Sequence, residues 1–150
     1  MLTPTLSIAI RVATEAHDGQ LDKGGRPYIL HPLRVMQRLA SEGHWIDVLA
    51  VAVLHDVIED CGPEWHLARL RSEGLPLDVL RSVQALTHLP GESYDSYLDR
   101  VLDDAMARRV KRADVLDNLD PIRLHQLPEE DRQRLTLKYH RALARLEEYA

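Results

Sequence analysis

Ile46-Asp47-Val48-Leu49-Ala50-Val51-Ala52-Val53-Leu54-His55-Asp56-Val57-Ile58-Glu59-Asp60 is the stretch that decides the fold. From Val48 to Leu54 every residue is apolar. A helix with no polar face belongs in the centre of a domain, surrounded by other elements. The run is far shorter than the ~20 residues a membrane-spanning helix needs. The spacing therefore predicts a central helix from Ile46 to about Asp60. Its C-terminal end carries four ionisable side chains, His55, Asp56, Glu59 and Asp60.

Outward from this helix the repeating signal stays helical. Leu6, Ala9, Ile10, Ala13 and Ala16 recur at three- and four-residue spacing and predict a first helix ending near Asp18-Gly19. A polar loop follows, from Gln20 to Tyr28. His31-Pro32 opens a second helix, with Leu33, Met36, Leu39 and Ala40 inward and Gly43 closing it. Beyond the central helix, Pro63–Ser72 and Pro76–Leu86 read as helices. Tyr94–Leu102 and Ala105–Leu119 read as two helices or one kinked helix. The last helix runs Glu129–Tyr149, with Leu135, Leu137, Tyr139, Ala142, Leu143 and Leu146 inward. No stretch alternates with period two. The expectation is an all-α bundle of six to eight helices, one domain over residues 1–150.

Composition narrows the function classes. A chain of 150 residues with 29% charged and 45% hydrophobic content can bury a core without staples. The net charge is −5, which disfavours a domain that wraps nucleic acid. The single cysteine, Cys61, excludes an internal disulfide and fits a reducing compartment. Leu6–Val12 is interrupted by Arg11 and does not read as a secretory leader. A cytoplasmic protein with no membrane contact is expected. His44, His66, His88, His125 and His140 have no partners at ligand spacing, and Trp45 and Trp65 read as core edges.

Ionisable groups at the end of a buried helix are costly unless something compensates them, and a metal ion is a common compensation. Neighbouring helix residues point about 100° apart, so His55 and Asp56 can both reach one ion at a helix end. Glu59 follows His55 by four and overhangs the same place. The simpler alternative is a helix end that becomes solvated. His31 starts a helix where Ser or Asp would cap better. Asp114 sits between apolar neighbours with Asn118 four residues on; its simpler reading is a surface carboxylate paired with Lys111 or Arg108. Taken together, His31, His55, Asp56 and Asp114 form a two-imidazole, two-carboxylate set suited to Mn, Fe, Co or Zn.

Four segments in this order carry a resemblance: Ala16-His17-Asp18-Gly19-Gln20; Gly25-Arg26-Pro27-Tyr28-Ile29-Leu30-His31-Pro32; His55-Asp56-Val57-Ile58-Glu59-Asp60; and Val110-Lys111-Arg112-Ala113-Asp114 with Asn118. They resemble the hydrolase domain of the RelA/SpoT family, the HD-superfamily (p)ppGpp 3′-pyrophosphohydrolases, in their small stand-alone form. The resemblance implies an HD-type helical bundle in which His31, His55, Asp56 and Asp114 ligate a metal, usually Mn²⁺. It implies that Glu59 and Asp60 form the acidic pair beside the metal, with Glu59 orienting or deprotonating the attacking water. It further implies that Asn118 holds the water or substrate, and that Lys23 and Tyr28 line the nucleotide pocket. The implied substrate is a phosphorylated nucleotide, ppGpp or pppGpp.

The chain departs from the family at a few positions. Asp22 stands where those hydrolases carry an Arg that packs on guanine, and Arg112 and Asp117 replace the usual Leu and His or Tyr. Asp117 points about 100° away from Asn118 and is not expected to touch the metal. The Asp22 change keeps alive a second enzyme reading, a phosphorylated nucleotide such as NADPH or a nucleoside monophosphate. A third reading, a nucleotide-binding module without turnover, would require a broken ligand set. His17 is expected either to support the site from behind or to cap the first helix, and Cys61 to be a small packing residue.

Overall fold

The computed structural model describes residues 4–149. It contains ten helical segments among these residues and no strand. Seven have nine residues or more and carry the fold: α1 (Thr5–Ala16), α2 (Leu30–Ser41), α3 (Ile46–Leu54), α6 (Leu77–Ala85), α7 (Tyr94–Leu102), α8 (Ala105–Asn118) and α10 (Glu129–Glu147). The short segments α4 (Val57–Cys61), α5 (Leu67–Ser72) and α9 (Pro121–His125) act as connectors.

The central-helix expectation holds: Val48 to Leu54 are all buried. A helix apolar on every side needs neighbours on every side, and α3 has them in α1, α2, α6 and α8. Helix α8 in turn packs on α2, α7 and α10. Gly43 and Gly74 end α2 and α5 with φ of +84° and +100°, a conformation in which a side chain would be strained. No helix of the described residues is long and apolar enough to cross a membrane.

Several boundaries differ from the sequence reading, each for a local reason. The central helix does not run to Asp60; it stops at Leu54 and restarts at Val57. The His55 imidazole takes the Ala52 carbonyl with its Nδ1 at 2.6 Å, and Asp56 sits at φ −103°, ψ 0°. This break turns both side chains to one side. The next helix begins at Leu67 rather than Pro63, because Trp65 turns inward and His66 caps α5 by accepting from the Arg69 N–H. Asp104 separates α7 from α8 by accepting from the Ala107 N–H at 2.8 Å. Asp120 caps the unexpected α9 in the same way through Ile122. Ala40 is exposed, and Val35 takes its expected place in the core. Leu137 and Trp45, expected inward and at a core edge, are 54% and 68% exposed. Trp65, read as a core edge, is buried in the core and stacks under Arg69.

Candidate metal centre and its cavity

Three elements meet at the α3–α4 break. The first turn of α2 brings His31, the break itself His55 and Asp56, and the middle of α8 Asp114. The facing ligand atoms of His31, His55 and Asp56 all lie within 4.8 Å of one another. His31 Nε2 is 2.9 Å from Asp114 Oδ1 and 3.7 Å from Asp56 Oδ2. His55 Nε2 is 3.1 Å from Asp56 Oδ2 and 3.4 Å from Asp114 Oδ1. Two ligands at right angles on bonds of about 2.1 Å lie about 3.0 Å apart, so these four edges fit the ligand shell of one first-row ion.

The imidazole tautomers argue the same way. The Nδ1–H of His55 donates to the Ala52 carbonyl, and His31 Nδ1 lies 2.6 Å from Asp117 Oδ2 and 2.7 Å from Arg123 Nη1. Both Nε2 atoms therefore face the Asp56 and Asp114 carboxylates. The Nε2 of His55 is buried and has no hydrogen-bond partner. Two buried carboxylates set against two imidazoles need positive charge among them, which either protons on the rings or a metal ion supplies. Burial opposes protonation of both histidines, yet Asp114 and Asp117 at His31, and Asp56 and Asp114 at His55, overcome it and hold both above the ordinary imidazole value. Burial likewise pushes Asp114 up, but the Lys111 ammonium, 2.9 Å away, and the two histidines hold it well below the carboxylate range. The alternative of a surface carboxylate paired with Lys111 is half met: the pair exists, and it is buried.

The supporting groups were mostly invisible in the sequence. Asp117 does not face the metal position, as its register required; it accepts from His31, from Arg34 through two bonds of 2.9 and 3.1 Å, and from Arg123 at 2.8 Å. Arg123, on α9, also donates to Asn118 Oδ1 at 2.8 Å. Asn118 donates to Asp114 Oδ1 at 3.2 Å, which ties it to the ligand set. Tyr28 donates its hydroxyl to Asp56 Oδ2 at 2.5 Å. Burial, with Asp56 and Asp60 nearby, pushes that phenol far above its ordinary value, so it stays a donor. Its ring packs on His17 and His31. His17 meets both of its expectations: it ends α1, and it is buried behind Tyr28 with Nδ1 2.7 Å from Gln20 Oε1.

The cluster opens into a cavity of about 370 Å³. That is within the ordinary size range of small-molecule sites. Lys23, Tyr28, Glu59 and Asn118 all line it. Glu59 accepts from the His88 backbone N–H at 2.7 Å, and burial, next to Asp56, raises its carboxyl above the ordinary value. Asp60, expected beside the metal with Glu59, does not line the cavity, and Gln20 donates to it at 3.2 Å. A carboxylate one residue along a helix from Glu59 cannot share its direction. His88, read from sequence as surface or packing, lines the cavity too, alongside Tyr94, Lys138 and Tyr139. Asp22 Oδ1 accepts from the Gly24 and Arg26 N–H groups at 2.9 Å, so it shapes the loop at the cavity mouth. The Cys61 thiol is half-buried and raised by burial to about 11, which makes it a packing residue and no nucleophile.

Comparison with known proteins agrees with this architecture. The chain is 36% identical over 135 residues to a probable GTP pyrophosphokinase of Mycobacterium leprae, covering 84% of this chain and 16% of that protein. It is 29% identical over 130 residues to a guanosine-3′,5′-bis(diphosphate) 3′-pyrophosphohydrolase of Aquifex aeolicus, covering 85% of this chain and 19% of the relative. A 50-residue stretch is 50% identical to the Vibrio cholerae protein of the latter name, over 33% of this chain and 7% of that one. The chain thus spans less than a fifth of the length of these curated relatives. The solved structure of a metazoan ortholog of SpoT that hydrolyzes ppGpp superposes with a TM-score of 0.74 at 22% identity, covering 99% of this chain and 95% of that one, which is a likeness of fold. The HD-domain family model matches residues 9–145, nearly the whole bundle including all four candidate ligands, and the chain belongs to the HD-domain family.

Proposed function

We propose that this domain is a metal-dependent (p)ppGpp 3′-pyrophosphohydrolase, with His31, His55, Asp56 and Asp114 as the metal ligands and Mn²⁺ as the ion. One observation carries the reading: two imidazole Nε2 atoms and two carboxylates converge at the floor of a cavity whose walls hold Glu59, Lys23 and Lys138. A divalent ion held there would polarise water and neutralise phosphate charge. Glu59 then serves as the general base. Burial raises its carboxyl above the ordinary value, and a base is most effective when its pKa approaches the working pH. Water attacks the phosphorus bonded to the 3′ oxygen and loses a proton to Glu59. The P–O3′ bond breaks, the 3′ oxygen takes up a proton, and pyrophosphate leaves with GDP or GTP as the second product. Asn118 orients the reacting groups, its amide held between Asp114 and Arg123. The relatives' names support the substrate, since two of them are called ppGpp 3′-pyrophosphohydrolases.

A second reading keeps the site and changes the nucleotide, to NADPH or a nucleoside monophosphate. It is favoured by Asp22, whose carboxylate is engaged with the loop backbone and offers no cation to stack on guanine. A nucleotide substrate and a lone unreactive thiol both fit a cytoplasmic setting. The test is incubation of Mn²⁺-loaded protein with ppGpp, following pyrophosphate and GDP, beside a His55→Ala, Asp56→Ala variant. Release that the variant loses supports the alarmone reading. Stoichiometric metal with no release moves the assignment to the other nucleotides.

A further inference from the structure

The cations around the cavity differ in what already neutralises them. Lys111 is bound to Asp114, and Arg123 to Asp117. Lys138, on the cavity-facing side of α10, is in no ion pair among the described residues, although it is half-buried. Its Nζ lies 4.3 Å over the ring of Tyr94, a contact that suits a cation but leaves its N–H donors unused. Burial, with Lys111 and Arg134 nearby, pulls its amine below the ordinary value against the smaller opposing pull of Glu59 and Asp114. Tyr94 lines the same wall, and its hydroxyl is buried with no hydrogen-bond partner. The cavity therefore has two ends: an anionic floor that suits a metal, and a wall with an uncompensated ammonium and an idle hydroxyl.

We propose that Lys138, with Tyr94, forms an anion subsite for the far phosphate of a diphosphate group whose near phosphate lies at the His31–His55–Asp56–Asp114 floor. The subsite makes the domain selective for a diphosphate ester over a monophosphate ester. It rests on the hydrolase reading for its place in catalysis, and on the unpaired Lys138 for its existence. A monophosphate at the floor leaves Lys138 unanswered, whereas a second phosphate supplies the missing charge and accepts from both donors.

The test uses the Mn²⁺-loaded protein and two inorganic probes, pyrophosphate and orthophosphate, titrated calorimetrically into wild type, Lys138→Met and Lys138→Arg. Methionine keeps an unbranched apolar side chain of similar reach and removes the ammonium. Loss of one charge-assisted bond should weaken pyrophosphate by about 10- to 100-fold and orthophosphate by less than about threefold, with arginine restoring most of the difference. Equal losses for both probes, or none for pyrophosphate, would overturn the proposal. Turnover of ppGpp, followed in parallel, separates the two claims. Pyrophosphate binding that depends on Lys138 in a protein that leaves ppGpp intact keeps the subsite and discards the hydrolase reading. Cleavage of ppGpp with pyrophosphate binding indifferent to Lys138→Met does the reverse.

Discussion

Replacing Asp117 by Asn isolates the hydrogen bond that orients His31. Both carboxylate oxygens of Asp117 are surrounded by donors: Arg34 Nε on Oδ1, and His31 Nδ1, Arg34 Nη2 and Arg123 Nη1 on Oδ2. An asparagine must turn its NH₂ toward one side or the other, so every orientation sets donor against donor. If the amide nitrogen faces His31, the imidazole loses its acceptor and the fixed tautomer that aims Nε2 at the ion. If it faces Arg34, the charge that made His31 the more basic ligand is gone. Partners of this kind typically govern metal affinity by 10- to 100-fold. That corresponds to about 1.4–2.7 kcal/mol. The buried side chain is nearly isosteric, so the fold should persist with a stability cost of about 1–3 kcal/mol. Competition of the folded variant with a calibrated chelator for Mn²⁺, with thermal melting of the metal-free form as control, measures both quantities. Unchanged Mn²⁺ affinity in the folded variant would refute the role assigned to Asp117.

Two further expectations follow from the same geometry. Tyr28→Phe removes the donor that holds Asp56 Oδ2, and should lower Mn²⁺ affinity by about threefold to tenfold with little change in melting temperature, the net value of a single hydrogen bond; an affinity equal to wild type would show that the 2.5 Å bond does not steer Asp56. Because His31 and His55 are held above the ordinary imidazole value in the metal-free protein, the ion must displace their protons, so Mn²⁺ affinity should rise with pH by about one to two decades per unit up to the raised values and then level off. The sign is fixed by the direction of those shifts, and an affinity that falls or stays flat from pH 6 to 8 would contradict it.

How much of this was legible beforehand depends on the range over which each signal acts. Val48–Leu54 has no polar face, and that alone places α3 at the centre. The four candidate ligands were legible because each breaks a local rule: a His at a poor cap position, or an acid between apolar neighbours. The helix break at His55-Asp56 was not legible, since an apolar period continues through Val57 and Ile58 and the cause is a side chain taking the Ala52 carbonyl. Asp117, Arg34 and Arg123 were missed for a different reason. Asp117 lies 86 positions from His31 along the chain, and no local pattern records such a pairing. Glu59 and Asp60 looked alike in sequence, and only the direction of one helical turn separates the cavity-lining acid from the one bonded to Gln20. Lys138 sat among the outward charges of α10 and gave no signal until Tyr94 was beneath it.

The most direct measurement for the account as a whole is the anomalous scattering of a crystal of this protein loaded with Mn²⁺. One strong peak is expected, within about 2.0–2.4 Å of His31 Nε2, His55 Nε2 and an oxygen each of Asp56 and Asp114. A peak held by other residues, or a fully loaded protein with no peak among these four, would contradict the site and the hydrolytic function built on it.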